Sequence, residues 1–134
     1  DATFRVPELA IGMNMSWQSV PRFVSLIGPA RTKELLILAE PLPATKAHDW
    51  SLVDRLAEPG KSLACARELA GKVAAMPPVP VRMSKQAVNQ AASPLGHATS
   101  YMDADQFLLA FGSADGREGI KAFFENRKPR FKGE

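Results

Sequence analysis

Cysteine is almost absent from this 134-residue sequence, which has a single one at Cys65. One cysteine cannot form a disulfide within the chain, and it lacks the second thiol that a cysteine-based metal site uses. No cluster of histidine and cysteine has metal-ligand spacing either. These absences exclude a disulfide-stapled domain, predict no metal site and favour a reducing compartment, the cytoplasm. We expect Cys65 itself to be a small buried hydrophobe on a helix.

The motifs of several enzyme classes are also missing. The sequence has no glycine-rich phosphate loop and no Gly-x-Ser-x-Gly nucleophile motif, which excludes two common catalytic signatures. Its longest apolar stretch, residues 35–39, is far shorter than the roughly 20 residues that a membrane-spanning helix needs, so we expect no membrane association. Hydrophobic residues make up 46% and charged residues 23%, which is typical of one folded domain with a core.

Charge is nearly balanced, with a net of +3, but the C-terminal end is basic. The cations that stand together there are Arg127, Lys128, Arg130 and Lys132. They form a solvated terminus or, alternatively, a contact for a phosphate-bearing partner. A nucleic-acid-binding protein is a further alternative, but the sequence has no docking motif, and we expect no nucleic-acid partner.

The first 58 residues show mixed strand and helix signals. Residues 3–11 predict a short strand followed by a turn. Residues 20–27 predict a short helix closed by Gly28, and Pro29 then begins a second helix that runs to Ala39. The four consecutive apolar residues at positions 35–38 leave this second helix little polar face, so we expect it to be largely buried. Residues 52–56 predict a brief strand.

A boundary is expected at residues 58–60, and the remainder has the pattern of helices. The regular spacing of apolar residues, together with the capping residues Ser113 and Asp115, predicts four of them. They lie over residues 63–73, 81–91, 101–111 and 113–124, with a turn at residues 93–96. The chain thus divides into a mixed α/β part, residues 1–58, and an all-helical part, residues 59–134.

The chemically distinctive stretch is the turn after the first predicted strand. Pro7 fixes its own φ and pushes the residue before it toward extended geometry, so we expect the chain to turn at Glu8. Met13, Met15 and Trp17 follow and would give Glu8 an apolar surrounding. Such a surrounding disfavours the charged form of a carboxylate, which suits proton transfer near neutral pH. The alternative is a solvated surface residue, which a lone glutamate beside a turn usually is.

Four segments taken together resemble one known family. They are Phe4-x-x-Pro7-Glu8-Leu9-x-x-Gly12, Gly28-Pro29-Ala30, Ser84-Lys85 and residues 118–131 (EGIKAFFENRKPRF). Each is weak by itself, but their order and separations resemble the C-terminal half of the crotonase, or enoyl-CoA hydratase/isomerase, family over nearly the whole chain. The closing segment is the most specific of the four.

The resemblance implies a fold that this chain completes only in part. Members of the family wind ββα units into a spiral and then add C-terminal helices that pack as trimers, often paired into hexamers. Residues 1–58 resemble the last part of the α/β spiral, and residues 59–134 resemble the helical oligomerisation region. The missing N-terminal half would supply most of the sheet and a pair of backbone N–H donors, so we expect the chain by itself to be inactive.

The resemblance also implies a chemistry, which is proton transfer or water addition on an acyl-CoA thioester whose enolate-like charge two N–H donors stabilise. Glu8 matches the family's Pro-Glu catalytic glutamate and is identified as the general acid/base. Phe123 matches a phenylalanine that contacts the nucleotide part of coenzyme A. Asn126 stands where relatives have a lysine, so Arg127 or Lys128 would contact phosphate; alternatively, these cations are exposed charges that favour the helix dipole. Coenzyme A is then part of the substrate, and no separate cofactor is expected.

One departure from the family pattern bears on the reaction. Hydratases of the family carry a glycine-rich loop after the Pro-Glu pair, whereas residues 15–19 here (MSWQS) include no glycine. Side chains there reduce the space for water and reshape the acyl pocket, whose candidate lining is Met13, Met15 and Trp17. Trp17 is alternatively a core aromatic. Isomerisation, hydrolysis or another enolate reaction stands beside hydration, and a catalytically silent assembly module is the remaining alternative.

Overall fold

The computed structural model describes residues 1–92, 94, 96–99 and 102–133, most of which are helical. The elements, in chain order, are β1 Thr3–Phe4, α1 Val20–Lys33, β2 Leu42–Pro43, α2 Ala44–Asp49, α3 Ser62–Ala74, α4 Pro78–Ala92, α5 Gly96–Thr99, α6 Asp103–Gly112 and α7 Ala114–Phe124. A 3₁₀ turn spans Leu9–Ile11, and a π-helical turn, Glu34–Leu38, extends α1. None of the helices in these ranges has the length and hydrophobicity that a membrane span requires.

The sheet of the described residues is one antiparallel pair, in which Phe4 of β1 lies opposite Leu42 of β2. The strand predicted over residues 52–56 is wrong. The amides of residues 52 and 53 both donate to the carbonyl of Ala47, at 2.9 and 3.3 Å. Residues 52 and 53 therefore close the end of α2. The α/β character of the described residues is limited to a very small sheet on a mostly helical structure.

Helix α1 is broken at Gly28, as the sequence predicted. Gly28 has φ 77° and ψ 165°, a conformation that a residue with a Cβ resists. Thr32 Oγ1 donates to the carbonyl of Gly28 at 2.8 Å, a contact from the first turn of the second helix back to the break. Pro29 follows the break, where a first helical residue needs no N–H donor. The break therefore separates two shorter helices.

The main buried cluster joins α1 and its π-helical extension to β2 and α2. It consists of Ile27, Leu35, Leu42, Ala47 and Trp50. Of the four apolar residues at positions 35–38, the first two are buried, while the next two are 61% and 57% exposed. The predicted burial of this whole stretch is wrong for its second half, because a helix directs consecutive side chains to different faces.

Helices α3 and α4 form as predicted but add nothing to this cluster. Helix α4 begins at Pro78, ahead of the predicted residue 81, because a first helical turn tolerates proline. No residue of either helix is buried. The side chains of Leu63, Val73 and Met83 are each more than half exposed. Cys65 on α3 is exposed as well, so its predicted burial is wrong.

Ser113 joins the two C-terminal helices. It is the N-cap of α7, as predicted, because its Oγ accepts the amide of Gly116 at 2.8 Å. The same Oγ donates to the carbonyl of Ala110 in α6 at 2.6 Å. One side chain therefore ties the end of α6 to the start of α7. The predicted start of α6 at Tyr101, and residues 93 and 95 of the predicted turn, lie outside the described residues.

Helix α7 contacts residues 8–12, called the Glu8 turn below, backbone to backbone. A Cβ built on Gly12 would lie 2.7 Å from the carbonyl oxygen of Asp115, and one built on Gly119 would overlap the carbonyl oxygen of Ile11. Gly12 also has φ 77°, in the left-handed region that favours glycine. The close contact therefore depends on residues without a Cβ on both sides.

We expect Gly119→Ala to destabilise the protein, because the added methyl group pushes α7 off the Glu8 turn. Overpacking of this kind costs about 1–3 kcal/mol of unfolding free energy, which urea titration measures. Gly71→Ala on α3 is the matched control. Nothing lies within 4 Å of its Cβ, and a helix favours alanine over glycine by about 1 kcal/mol. Equal responses from the two variants would contradict the contact.

Candidate functional site

Glu8 begins the 3₁₀ turn, and hydrogen bonds fix its backbone there. Its carbonyl accepts the amides of Ile11 at 3.2 Å and Met13 at 2.9 Å, and the amide of Gly12 donates to Leu9 at 3.1 Å. Helix α7 packs on the same turn through its glycine contacts. The position of Glu8 is thus set from two sides, by local hydrogen bonds and by a helix that comes from the other end of the chain.

One carboxylate oxygen of Glu8 lies inside the protein without a partner. Oε2 is buried and accepts no hydrogen bond from any residue that the structure describes. Leaving a buried polar group unpaired costs about 1–3 kcal/mol, and nearly all such groups in proteins are paired. Ser19 Oγ is likewise buried and unpaired among the described residues. Of the two groups the carboxylate is the one suited to general acid/base catalysis, so Glu8 is the candidate for chemistry.

The three residues expected to line an acyl pocket all belong to the loop after the Glu8 turn, residues 13–19. The structure places them in three different surroundings. Met15 is buried and lines a cavity of about 370 Å³. Met13 is half-buried and does not line that cavity. Trp17 is 71% exposed, so the alternative that it is a core aromatic is wrong. The structure therefore places Met15 in a cavity and Trp17 on the surface.

The cavity lies between this loop, α1 and α6. Its apolar lining includes Leu9, the residue after Glu8, and Leu36. Lys33, Asp103 and Gln106 add polar groups. Its volume falls in the range of about 300–1,000 Å³ that is usual for small-molecule sites, and an apolar lining with a few polar groups suits an acyl chain.

Two residues of α6 that sequence reasoning did not identify as functional hold this loop. The amide of Gln18 donates to Oδ2 of Asp103 at 2.8 Å, and Nδ2 of Asn14 donates to Oε1 of Gln106 at 2.9 Å. These partners are 85 and 92 residues apart in the chain. No local sequence pattern signals contacts at such a separation, so only the fold reveals them.

Two of the residues expected to contact coenzyme A are exposed at the other end of α7. Phe123 is 62% exposed and meets Phe124 edge to face, with ring centroids 5.7 Å apart. It lies one helical turn beyond Gly119, which contacts the Glu8 turn. Lys128 is exposed and lines an open cavity of about 820 Å³ together with other cations of the tail.

Arg127, in contrast, is engaged by carboxylates. Its Nη1 and Nη2 donate to the two oxygens of Glu118 at 2.6 and 2.9 Å, and its Nε donates to Glu125 at 2.6 Å. The paired geometry at Glu118 is the strong bidentate form of an arginine–carboxylate contact. Arg127 would therefore have to exchange a carboxylate partner before it could bind phosphate.

The residues after α7 fold back along the helix. The amides of residues 132 and 133 donate to Asp115, each at 2.7 Å, and the amide of Arg130 donates to Glu118 at 2.9 Å. Asp115 and Glu118 are three residues apart, so they share a face of α7. The backbone carbonyl of Asp115 is also the group that meets Gly12. The tail is thus held on the part of α7 that contacts the Glu8 turn, an arrangement called the tail clamp below.

Electrostatics favour the charged form of the clamp. The hydrogen bond from the Arg127 guanidinium, with that from the Arg130 amide, lowers the pKa of Glu118 from 4.5 to about 2. The same contact with Glu118 raises the pKa of Arg127 above its ordinary value. Both partners therefore stay ionised at neutral pH.

We expect the tail clamp to weaken in acid. Because the pKa of Glu118 is lower in the folded protein than in an unfolded chain, its contribution to stability is complete above pH 4.5 and is lost as the pH falls toward about 2. Glu118→Gln should lower the melting temperature at neutral pH, and the difference from the wild type should shrink over that interval. Glu68→Gln, which removes an exposed ion pair with Lys72, should change little at any pH. A pH-independent difference for Glu118→Gln would contradict this assignment.

Known proteins resemble this chain over nearly its whole length. The family model described as Enoyl-CoA hydratase/isomerase matches residues 1–134. A crotonyl-CoA hydratase from Syntrophomonas wolfei is 31% identical over 131 residues, which cover 98% of this chain and 50% of that protein. A 1,2-epoxyphenylacetyl-CoA isomerase from Escherichia coli is 33% identical over 106 residues, which cover 79% of this chain and 40% of that protein.

A solved structure of an enoyl-CoA hydratase/isomerase from Pseudoalteromonas atlantica T6c has the same fold over this length. Its TM-score is 0.88 at 27% identity, and the match covers 98% of this chain and 53% of that one. The chain spans about half the length of the curated relatives it matches. Since the family model matches every residue from 1 to 134, the resemblance found in the sequence is confirmed, and the chain belongs to the enoyl-CoA hydratase/isomerase family.

Proposed function

We propose that this chain carries the general acid/base of an enzyme that processes acyl-CoA thioesters. The observation that carries the proposal is the buried, unpaired Oε2 of Glu8, on a turn that α7 holds in place. A carboxylate in hydrogen-bond reach of a substrate can take a proton from it and return one. The relatives named as a crotonyl-CoA hydratase and a 1,2-epoxyphenylacetyl-CoA isomerase support the substrate class.

The reaction needs a polarised thioester beside this carboxylate. Two N–H donors on the carbonyl oxygen stabilise the enolate-like charge as it forms, and we assign these donors to another part of the intact protein. In a hydration, Glu8 takes a proton from the water that adds to the β-carbon, and the α-carbon gains a proton as the enolate collapses. In an isomerisation, Glu8 takes a proton from one carbon and returns it to another. Coenzyme A belongs to the substrate in both reactions.

We assign the acyl group to the apolar cavity beside the Glu8 turn. Met15 lines it with Leu9, and Met13 and Trp17 belong to the same loop. Because residues 15–19 lack glycine, their side chains leave less room for water than a glycine-rich loop would. Isomerisation or another enolate reaction therefore stands beside hydration as the reaction of this site.

We assign the nucleotide end of coenzyme A to the C-terminal part of α7 and the tail. Phe123 offers an exposed ring, and Lys128 offers an exposed cation for a phosphate. Arg127 has the forked donors that suit phosphate, and it would join only by exchanging its contact with Glu118 or Glu125.

Glu8→Gln in the intact protein tests the acid/base assignment. The amide keeps the size of the side chain but cannot take up a proton, so kcat should fall by roughly 10²–10⁴-fold, while circular dichroism shows an intact fold. Glu40→Gln makes the same chemical change at an exposed glutamate and should leave kcat unchanged. Turnover that survives the change at Glu8 would remove it from the mechanism.

The exposed helices α3 and α4 favour a further role in assembly. Both carry apolar side chains that the chain itself does not bury, among them Leu63 and Met83 at 60% and 65% exposure. Apolar faces of this kind are usually covered by another protein surface. We propose a homotrimer or a dimer of trimers in the cytoplasm, a reducing compartment in which the single exposed Cys65 can persist.

Assembly and catalysis can be tested together on the intact protein. We expect it to sediment as a trimer or hexamer and to bind acetyl-CoA in titration calorimetry. Met83→Asp should shift the equilibrium toward monomer, because it places a charge at an apolar contact, whereas Lys85→Gln on the same helix should not. A trimer that does not bind acetyl-CoA would leave only the silent assembly module, and a monomer would contradict the oligomer.

A further inference from the structure

We infer that Asp103 and Gln106 are positioning residues that set which acyl groups the cavity accepts. They act through the loop of residues 13–19 and do not touch the reacting atoms. The inference rests on the proposed function, because it assigns the cavity to the acyl chain. The two hydrogen bonds that join this loop to α6, Gln18 to Asp103 and Asn14 to Gln106, are called the α6 staple below.

The α6 staple holds the loop by one hydrogen bond near each end. Asp103 and Gln106 are three residues apart and share a face at the start of α6. Their partners, Gln18 and Asn14, lie on either side of Met15 and Trp17 in the loop, at 2.8 and 2.9 Å from the two acceptors. The two hydrogen bonds therefore restrict how far residues 14–18 can shift relative to α6.

The hydrogen bond between Gln18 and Asp103 is made by a residue in a disfavoured backbone conformation. Gln18 has φ 53°, in the left-handed region that residues with a Cβ seldom adopt. Conformations of this kind persist where the surroundings fix them, and they concentrate at ligand sites. The acceptor of the Gln18 amide is a carboxylate, and hydrogen bonds to charged acceptors are the stronger ones. Asp103 is therefore the group that keeps Gln18, and with it this end of the loop, in place.

The stapled residues also form part of the cavity. Asn14, Met15, Asp103 and Gln106 all line it, together with Leu9 next to Glu8. The two hydrogen bonds oppose movement of this wall away from α6 when a longer chain enters. The stapled wall therefore limits which acyl groups fit the cavity, and opening the staple should admit longer ones.

The first measurement compares two straight-chain enoyl-CoA thioesters, one short and one long, with the intact protein. Asp103→Ala should raise the long-to-short ratio of kcat/KM about tenfold, the low end of the discrimination that one methylene group gives in an apolar pocket. The rise should come from a higher kcat/KM for the long substrate, as expected if the cavity becomes wider. Gln106→Ala should shift the ratio in the same direction, and Gln106→Glu, which keeps an acceptor for Asn14, should restore it. Asp105→Ala is the control, since it removes the same charge from an exposed position on α6.

A second measurement, amide hydrogen exchange, monitors the α6 staple independently of turnover. The Gln18 amide should exchange with deuterium faster in Asp103→Ala than in the wild type, and at the wild-type rate in Asp105→Ala. Faster exchange with an unchanged substrate ratio would overturn the specificity role, and so would an equal loss of kcat for both substrates. A wild type that turns over no acyl-CoA would instead overturn the proposed function, while the exchange rates would still report on the staple.

Discussion

The backbone of α7 lies against the backbone of the Glu8 turn, and the candidate site depends on this contact. Glycine within a helix costs about 1 kcal/mol relative to alanine, yet α7 has glycine at positions 116 and 119. A Cβ at either position would overlap backbone atoms of another segment. Steric overlap of that kind outweighs helix propensity, so close approach decides the residue type. The result is a catalytic candidate whose location is fixed by two segments more than 100 residues apart.

Helices α6 and α7 hold in place the segments that form the candidate site. Helix α7 holds the Glu8 turn and, through Asp115 and Glu118, the tail that carries Lys128. Helix α6 holds the loop that lines the cavity and is joined to α7 by Ser113. Glu8, the cavity that Met15 lines and the basic tail are therefore connected through two consecutive helices. A region that resembles an assembly module in sequence also positions the groups around Glu8.

Helices α3 and α4 have no buried residue, whereas α7 buries three. They have 13 and 15 residues, which is near the length of about 12–15 residues below which isolated helices are marginal in water. Most helical stability in proteins comes from packing an apolar face, and that face is exposed on both helices here. Their amphipathic patterns therefore leave apolar faces that the chain does not itself cover.

The sequence by itself determined the features whose causes are local. The break at Gly28, the cap at Ser113 and the turn after Pro7 follow from backbone preferences of single residues, and the ordered motifs identified the family. Tertiary structure decided the features that depend on distant neighbours. These are the closing of α2 by residues 52 and 53, the exposure of residues 37, 38 and 65, and the α6 staple. The physical reason is that the backbone conformation a residue prefers is a property of that residue and its neighbours in sequence. Its burial and its hydrogen-bond partners, in contrast, depend on which remote segment lies beside it.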